Sequence, residues 1–147
     1  MKYEYISGEL FSKIADVSIY DRIYLNQFPN IKYNCNKIIY NNEPINKDSL
    51  SIINNSNIFF VKTDHLKFFI NYILPFISNK FILITHNSDL SSGNNKIIYN
   101  NKFLIKWYGQ NMIPNYDIDK LIGIPIGLAN SQWKGSDYNI CKKYKNN

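Results

Sequence analysis

Apolar and polar positions along this chain group into short runs with two different periods. From Ile58 to Val61 and from Phe81 to Ile84 the residues are continuously apolar, as in strands buried on both faces. Between these runs Leu66, Phe69, Ile70, Ile73 and Ile77 recur at helical spacing. A helix capped by Thr63 or Asp64 is therefore expected to reach about Ile77, with Pro75 kinking its end. Strand, amphipathic helix and strand within roughly thirty residues make a βαβ unit, which implies parallel strands.

The flanking chain reads as the rest of such a sheet. Ser7 is placed to cap a short helix with Leu10, Phe11 and Ile14 on one face, and Val17 to Tyr20 suits a first strand. Residues 21–36 carry Pro29 and read as a loop with one extra turn of structure. Lys37 to Tyr40 is a short strand, Asn41-Asn42-Glu43-Pro44 a turn, and Asn46 the cap of a brief helix through Asn54 with Leu50 and Ile53 inward. After Gly93, Ile97 to Tyr99 fits a short helix or strand, and Phe103 to Tyr108 a further strand. Leu121 to Ile126 is the last apolar run, and its Pro125 suits an edge or a strand end. The expectation is one α/β domain with a mostly parallel sheet over residues 1–133, followed by a polar basic tail over 134–147.

Composition narrows the function classes. With 147 residues and 45% hydrophobic positions the chain has enough apolar material for one core. Roughly one residue in six is Asn, which an AT-rich coding sequence explains, so a single Asn carries little functional information. The net charge of +6 permits an anionic partner, yet the only dense cluster is Lys142, Lys143 and Lys145 in the tail. No zinc-finger spacing, RNA-recognition motif or arginine run is present, which argues against nucleic acid. No apolar run approaches the ~18 residues of a membrane span. Cys35 and Cys141 show no metal-type spacing and read as free thiols of a cytoplasmic protein, and no metal or cofactor motif stands out.

Candidate chemistry collects where apolar runs break into polar ones. Thr85, His86, Asn87, Ser88 and Asp89 follow one strand, and Trp107, Gln110 and Asn111 lie at the end of the next. Asn130, Gln132 and Trp133 follow the last run. In a parallel sheet all three breaks fall on the carboxyl edge, where open α/β sheets bind ligands. The unperturbed pKa of a histidine is near neutrality, which suits His86 to act as a general base or to contact a phosphate, and Asp89 is placed to orient it or to act as a base itself. The amides of Gln110 and Asn111 suit a hydroxyl-rich ligand, and Trp107 offers a ring for stacking. No glycine fingerprint, P-loop or spaced Ser-His-Asp set is found.

Four blocks, read together, carry a family resemblance. They are Phe60 to Asp64, Ile84 to Asp89, Ile105 to Asn111 and Ile124 to Trp133, in that order. They resemble exostosin-like, GT-B-type glycosyltransferase-like proteins of large DNA viruses and microbes. The resemblance implies a Rossmann-like domain corresponding to one half of a GT-B enzyme, and transfer of a sugar from a nucleotide donor. It implies catalytic roles for His86 and Asp89, and substrate binding by Thr85, Asn87, Ser88, Trp107, Gln110, Asn111, Asn130, Gln132 and Trp133. Because a GT-B enzyme has two such domains, the chain is expected to be a truncated or single-domain relative. Its cleft would need a missing second domain or a homodimer, and it would sit in a host cytoplasm if viral. The alternative is a non-catalytic module that binds a saccharide or a protein.

Overall fold

The computed structural model describes residues 7–27, 37–93, 95–112 and 119–127. The strands are β1 (Val17–Tyr20), β2 (Ile38–Tyr40), β3 (Ile58–Lys62), β4 (Phe81–His86), β5 (Leu104–Gly109) and β6 (Leu121–Gly123). They form one sheet in the order β2-β1-β3-β4-β5-β6, and every neighbouring pair is parallel. The protein is thus an α/β domain with a six-stranded, wholly parallel sheet, as a single Rossmann-like domain requires.

Side chains alternate across the sheet and define two cores. On one face Val17, Ile19, Phe59, Val61, Phe81, Leu83 and Trp107 pack with residues from the helices that follow β2, β3 and β4. Those helices are α3 (Lys47–Asn54), a composite helix over residues 63–76, and α5 (Lys96–Tyr99). Phe59, Phe69 and Phe81 meet there edge to face or tilted, with centroids 5.8 to 6.4 Å apart. On the other face Tyr20, Phe60 and Ile84 pack beneath α1 (Gly8–Ile14) and its Phe11.

The caps act as read from the sequence: the Ser7 side chain accepts from Leu10 N, and that of Asn46 from Ser49 N. Two elements, α1 and the helix after β3, differ from expectation. The face of α1 turned inward carries Gly8, Glu9 and Ser12, while Ile14 is 46% exposed. The helix is held close by small residues, and Ser12 Oγ lies 3.1 Å from Ser18 Oγ of β1. Within residues 21–36 the expected extra turn of structure is a short helix, α2 (Arg22–Gln27). The helix after β3 has no side-chain cap, and it changes pitch along its length. A 3-10 turn Thr63–His65 leads into the α-helical turn α4 (Leu66–Phe68), the π segment Phe69–Ile73 and a second 3-10 turn Leu74–Phe76 that contains Pro75. Phe69 and Ile73 are nevertheless fully buried, as their spacing implied. The polar tail over 134–147 and both cysteines, Cys35 and Cys141, lie outside the described residues. No helix among the described residues is long and apolar enough to cross a membrane.

Candidate functional site

The order β2-β1-β3 means that the chain leaves β1 in one direction and returns past it to build β3. The loops leaving β1 and β3 therefore diverge, and a crevice opens at the carboxyl ends of these two strands. The ends of β4 and β5 continue the same edge.

At β4 and β5 the polar residues mostly bind one another. Gln110 N donates to Thr85 O at 2.9 Å, extending the ladder by one rung. The Gln110 side chain receives Asn87 N at 3.1 Å and donates to Ser88 O at 2.9 Å. Asn111 Nδ2 adds a 3.3 Å bond to Ser88 O. Asn87 and Asn111 both take positive φ, 61° and 52°, the left-handed region that Asn tolerates best among side chains with a Cβ. Beneath them runs a buried relay. The Trp107 indole donates to Thr85 Oγ1 at 3.0 Å, Thr85 Oγ1 lies 2.7 Å from Ser92 Oγ, and Ser92 Oγ donates to Gln110 O at 2.9 Å. Since the serine proton goes to Gln110, the threonine hydroxyl donates to the serine. Gly109 leaves room for this relay, because a Cβ there would lie 2.9 Å from Thr85 Oγ1 and 3.0 Å from Ser92 Oγ.

His86 is 2% exposed and packs against the Phe11 ring at 5.1 Å. Its Nε2 lies 3.2 Å from Pro125 O and its Nδ1 3.2 Å from Asn87 Oδ1. Burial pushes its pKa down, and the contacts to Pro125 and Asn87 oppose this only in part. The ring is thus held neutral between two acceptors, with one proton to offer them. Asn87 is fixed in turn, because its Nδ2 donates to Tyr20 Oη at 3.3 Å and its carboxamide lies over Gly8.

The crevice between β1 and β3 holds residues that the sequence reading did not assign to a site. Lys62 Nζ lies 2.6 Å from Asp64 Oδ2. Burial pushes the Asp64 carboxyl up, but hydrogen bonds from Lys62 and Ser88 and the lysine charge outweigh it and hold the pKa below the usual value. His65 is 8% exposed, and its Nδ1 lies 2.9 Å from Asn41 Nδ2. Its Nε2 is 3.9 Å from Asp21 Oδ2. Burial and the nearby Lys62 charge lower its pKa, against the pull of Asp21 and Asp64, so this imidazole too is neutral. Asn41 also lines a cleft of about 300 Å³, whose other walls are Asn42, Glu43, Pro44, Ile45, Phe68 and Tyr72. Applying the strand-end rule to Val17 to Tyr20 and Ile58 to Val61 as well would have found Asp21, Lys62 and His65.

Of the expected site residues, Thr85, His86, Asn87, Ser88, Gln110 and Asn111 come together at the ends of β4 and β5. Asp89 is exposed beside them. Two expectations change. Trp107 has no exposed surface, so it offers no ring to a ligand and belongs to the core. Thr85 is likewise fully buried, and its hydroxyl is occupied by Trp107 and Ser92. Asn130, Gln132 and Trp133 lie outside the described residues. No protein-family model, curated protein or solved structure matches the chain.

Proposed function

We propose that this protein is a glycosyltransferase-like domain that holds a saccharide or a nucleotide sugar along its carboxyl edge and has little or no transfer activity of its own. The observation that carries the binding half is the strand-order reversal at β1 and β3, which opens a crevice lined by Asp21, Lys62, Asp64 and His65. Carboxylates that accept, beside a lysine and an imidazole N–H that donate, suit hydroxyl groups. The state of His86 supports the rest of the reading. A general base needs a free nitrogen within reach of the proton it takes. His86 is buried, with both nitrogens already placed on Pro125 O and Asn87 Oδ1. Transfer also needs donor and acceptor held together and the leaving nucleotide's charge stabilised, and Lys62, the cation of this crevice, is already paired with Asp64.

The test is to titrate the purified chain with a panel of nucleotide sugars and simple glycosides. Binding is read by amide chemical shifts, and transfer and hydrolysis by chromatography of the products. Shifts at residues 62–65 and 86–88 without turnover are expected. Absence of binding across the panel would refute the saccharide reading. Robust turnover lost on His86→Gln would make the protein a compact enzyme instead.

A further inference from the structure

The fold gathers lysines that are scattered along the sequence. Because all six strands are parallel, their starts lie on one edge of the sheet, opposite the carboxyl edge. Lys80 immediately precedes β4, Lys102 lies just before β5, Lys106 is the third residue of β5, and Lys120 immediately precedes β6. Three of these ammoniums are fixed on backbone carbonyls. Lys80 Nζ donates to Lys102 O at 2.8 Å, Lys106 Nζ to Asp119 O at 2.6 Å and Lys120 Nζ to Asn101 O at 3.3 Å. The fourth, Lys102 Nζ, stands 4.8 Å over the Phe103 ring. The ion pairs among the described residues include none of the four. A carbonyl carries only a partial charge and an ammonium has three protons to donate, so the cluster stays positive with donors to spare. Among the described residues this edge has two carboxylates. Asp119 is exposed, and Asp16 Oδ2 is spent on the amides of Asn57 and Ile58. Large apolar side chains are exposed at the same edge. Phe76, at the end of the composite helix, and Ile105, where the register of β5 shifts, are each 47% exposed, and Ile97 of α5 is 63% exposed.

We propose that this amino edge is a docking surface for an anionic lipid bilayer, on which the protein lies without spanning it. Lysine ammoniums suit the diffuse negative charge of a headgroup layer. Apolar side chains among them suit shallow insertion at the boundary with the acyl chains. Nucleic acid fits less well. The cluster has no arginine for bidentate contacts, and a phosphate backbone gives Phe76, Ile97 and Ile105 no apolar surface to cover. Docked this way, the strands run along the membrane normal. Strands of six residues such as β4 then hold His86 and the crevice about 20 Å above the headgroups, open to soluble ligands. The inference is independent of what that crevice binds.

The test mixes the full chain with vesicles of phosphatidylcholine alone or with added phosphatidylserine, and reads binding by co-flotation. Binding to the anionic vesicles only is expected, weakening as salt rises. Lys80→Gln and Lys102→Gln should each weaken it about fivefold. The Lys102 ammonium makes no hydrogen bond among the described residues, so that variant tests charge without disturbing the fold. Phe76→Ser should weaken binding at constant charge. In bicelles of the same lipids carrying a gadolinium chelate, the amides of Lys80, Lys102 and Lys120 should broaden while those of residues 86–88 at the opposite edge stay sharp. No binding to phosphatidylserine vesicles would overturn the proposal. So would full binding by the Lys80→Gln/Lys102→Gln chain that is lost on replacing Lys142, Lys143 and Lys145 with Gln, since the membrane would then belong to the tail. Equal binding to polyglutamate or to single-stranded DNA, with Phe76→Ser silent, would make this edge a general polyanion surface and overturn the lipid assignment.

Discussion

Thr85→Val isolates the buried relay at the end of β4. Valine has nearly the shape of threonine, so the change removes a hydroxyl and leaves little cavity. In the native protein Thr85 Oγ1 accepts the Trp107 indole proton at 3.0 Å and meets Ser92 Oγ at 2.7 Å, with Thr85 and Trp107 both fully buried. The substitution strands the indole N–H, at about 1–3 kcal/mol, and removes the proton donated to Ser92, about 1 kcal/mol more. Ser92 keeps its bond to Gln110 O, and no longer burying a hydroxyl offsets part of the loss. The net expectation is about 2 kcal/mol, or roughly 4–8 °C in Tm for a domain of this size. Urea unfolding followed by far-UV circular dichroism measures it. A double-mutant cycle sharpens the test. Trp107→Phe removes the indole donor, so Thr85→Val should cost about 1 kcal/mol less in that background. A loss below about 0.5 kcal/mol in the native background, or strictly additive effects, would show that the relay holds nothing together.

Three further outcomes follow from the same geometry. Phe69→Ala, in the aromatic cluster under β3 and β4, should cost about 3–5 kcal/mol in urea unfolding, whereas a surface-sized loss would place the packed face elsewhere. Gly8→Ala puts a Cβ 1.5 Å from Asn87 Oδ1, so Asn87 must leave its place over α1. A loss of about 1–3 kcal/mol and a shift of the His86 ring resonances are expected, and a silent variant would mean that Asn87 yields freely. Both histidines have folded pKa values below their ordinary 6.5, so the unfolded chain binds protons first as pH falls. Stability should therefore decline from about pH 6.5 downward, before the Asp64 contribution is lost at lower pH, and His86→Gln should flatten the upper part of the curve. A Tm independent of pH between 7 and 5 would contradict the buried neutral state.

Much of the architecture was legible because burial on both faces forces continuous apolar runs, as in Ile58 to Val61 of β3 and Phe81 to Ile84 of β4. The caps at Ser7 and Asn46 were legible for the local reason that one side chain accepts one amide. The face of α1 was not, because apolar periodicity cannot signal packing through Gly8 and Ser12. The π segment Phe69–Ile73 was invisible too, since its inward residues keep a helix-like spacing. In the site, polar strand ends located the edge but not the role of each residue. Trp107 and Thr85 read as ligand contacts and are core. The His65 group was overlooked because Thr63 and Asp64 have the residue types of a helix cap, a role for which no side-chain bond is made.

The strand order has a consequence for the chain as it is synthesised. Once β1 and β2 have paired, β3 adds beside β1, β4 beside β3, β5 beside β4 and β6 beside β5. Each new strand joins an edge that is already complete, and none has to be threaded between two that are paired. The sheet can therefore assemble in the direction of translation, without waiting for a later segment to complete an earlier pair. In exchange, the newest strand is always an open edge until its successor emerges, and unpaired edges recruit other chains. Among the described residues the outermost strand on that side is β6, a strand of only three residues followed by Pro125, which has no amide proton to offer a further neighbour.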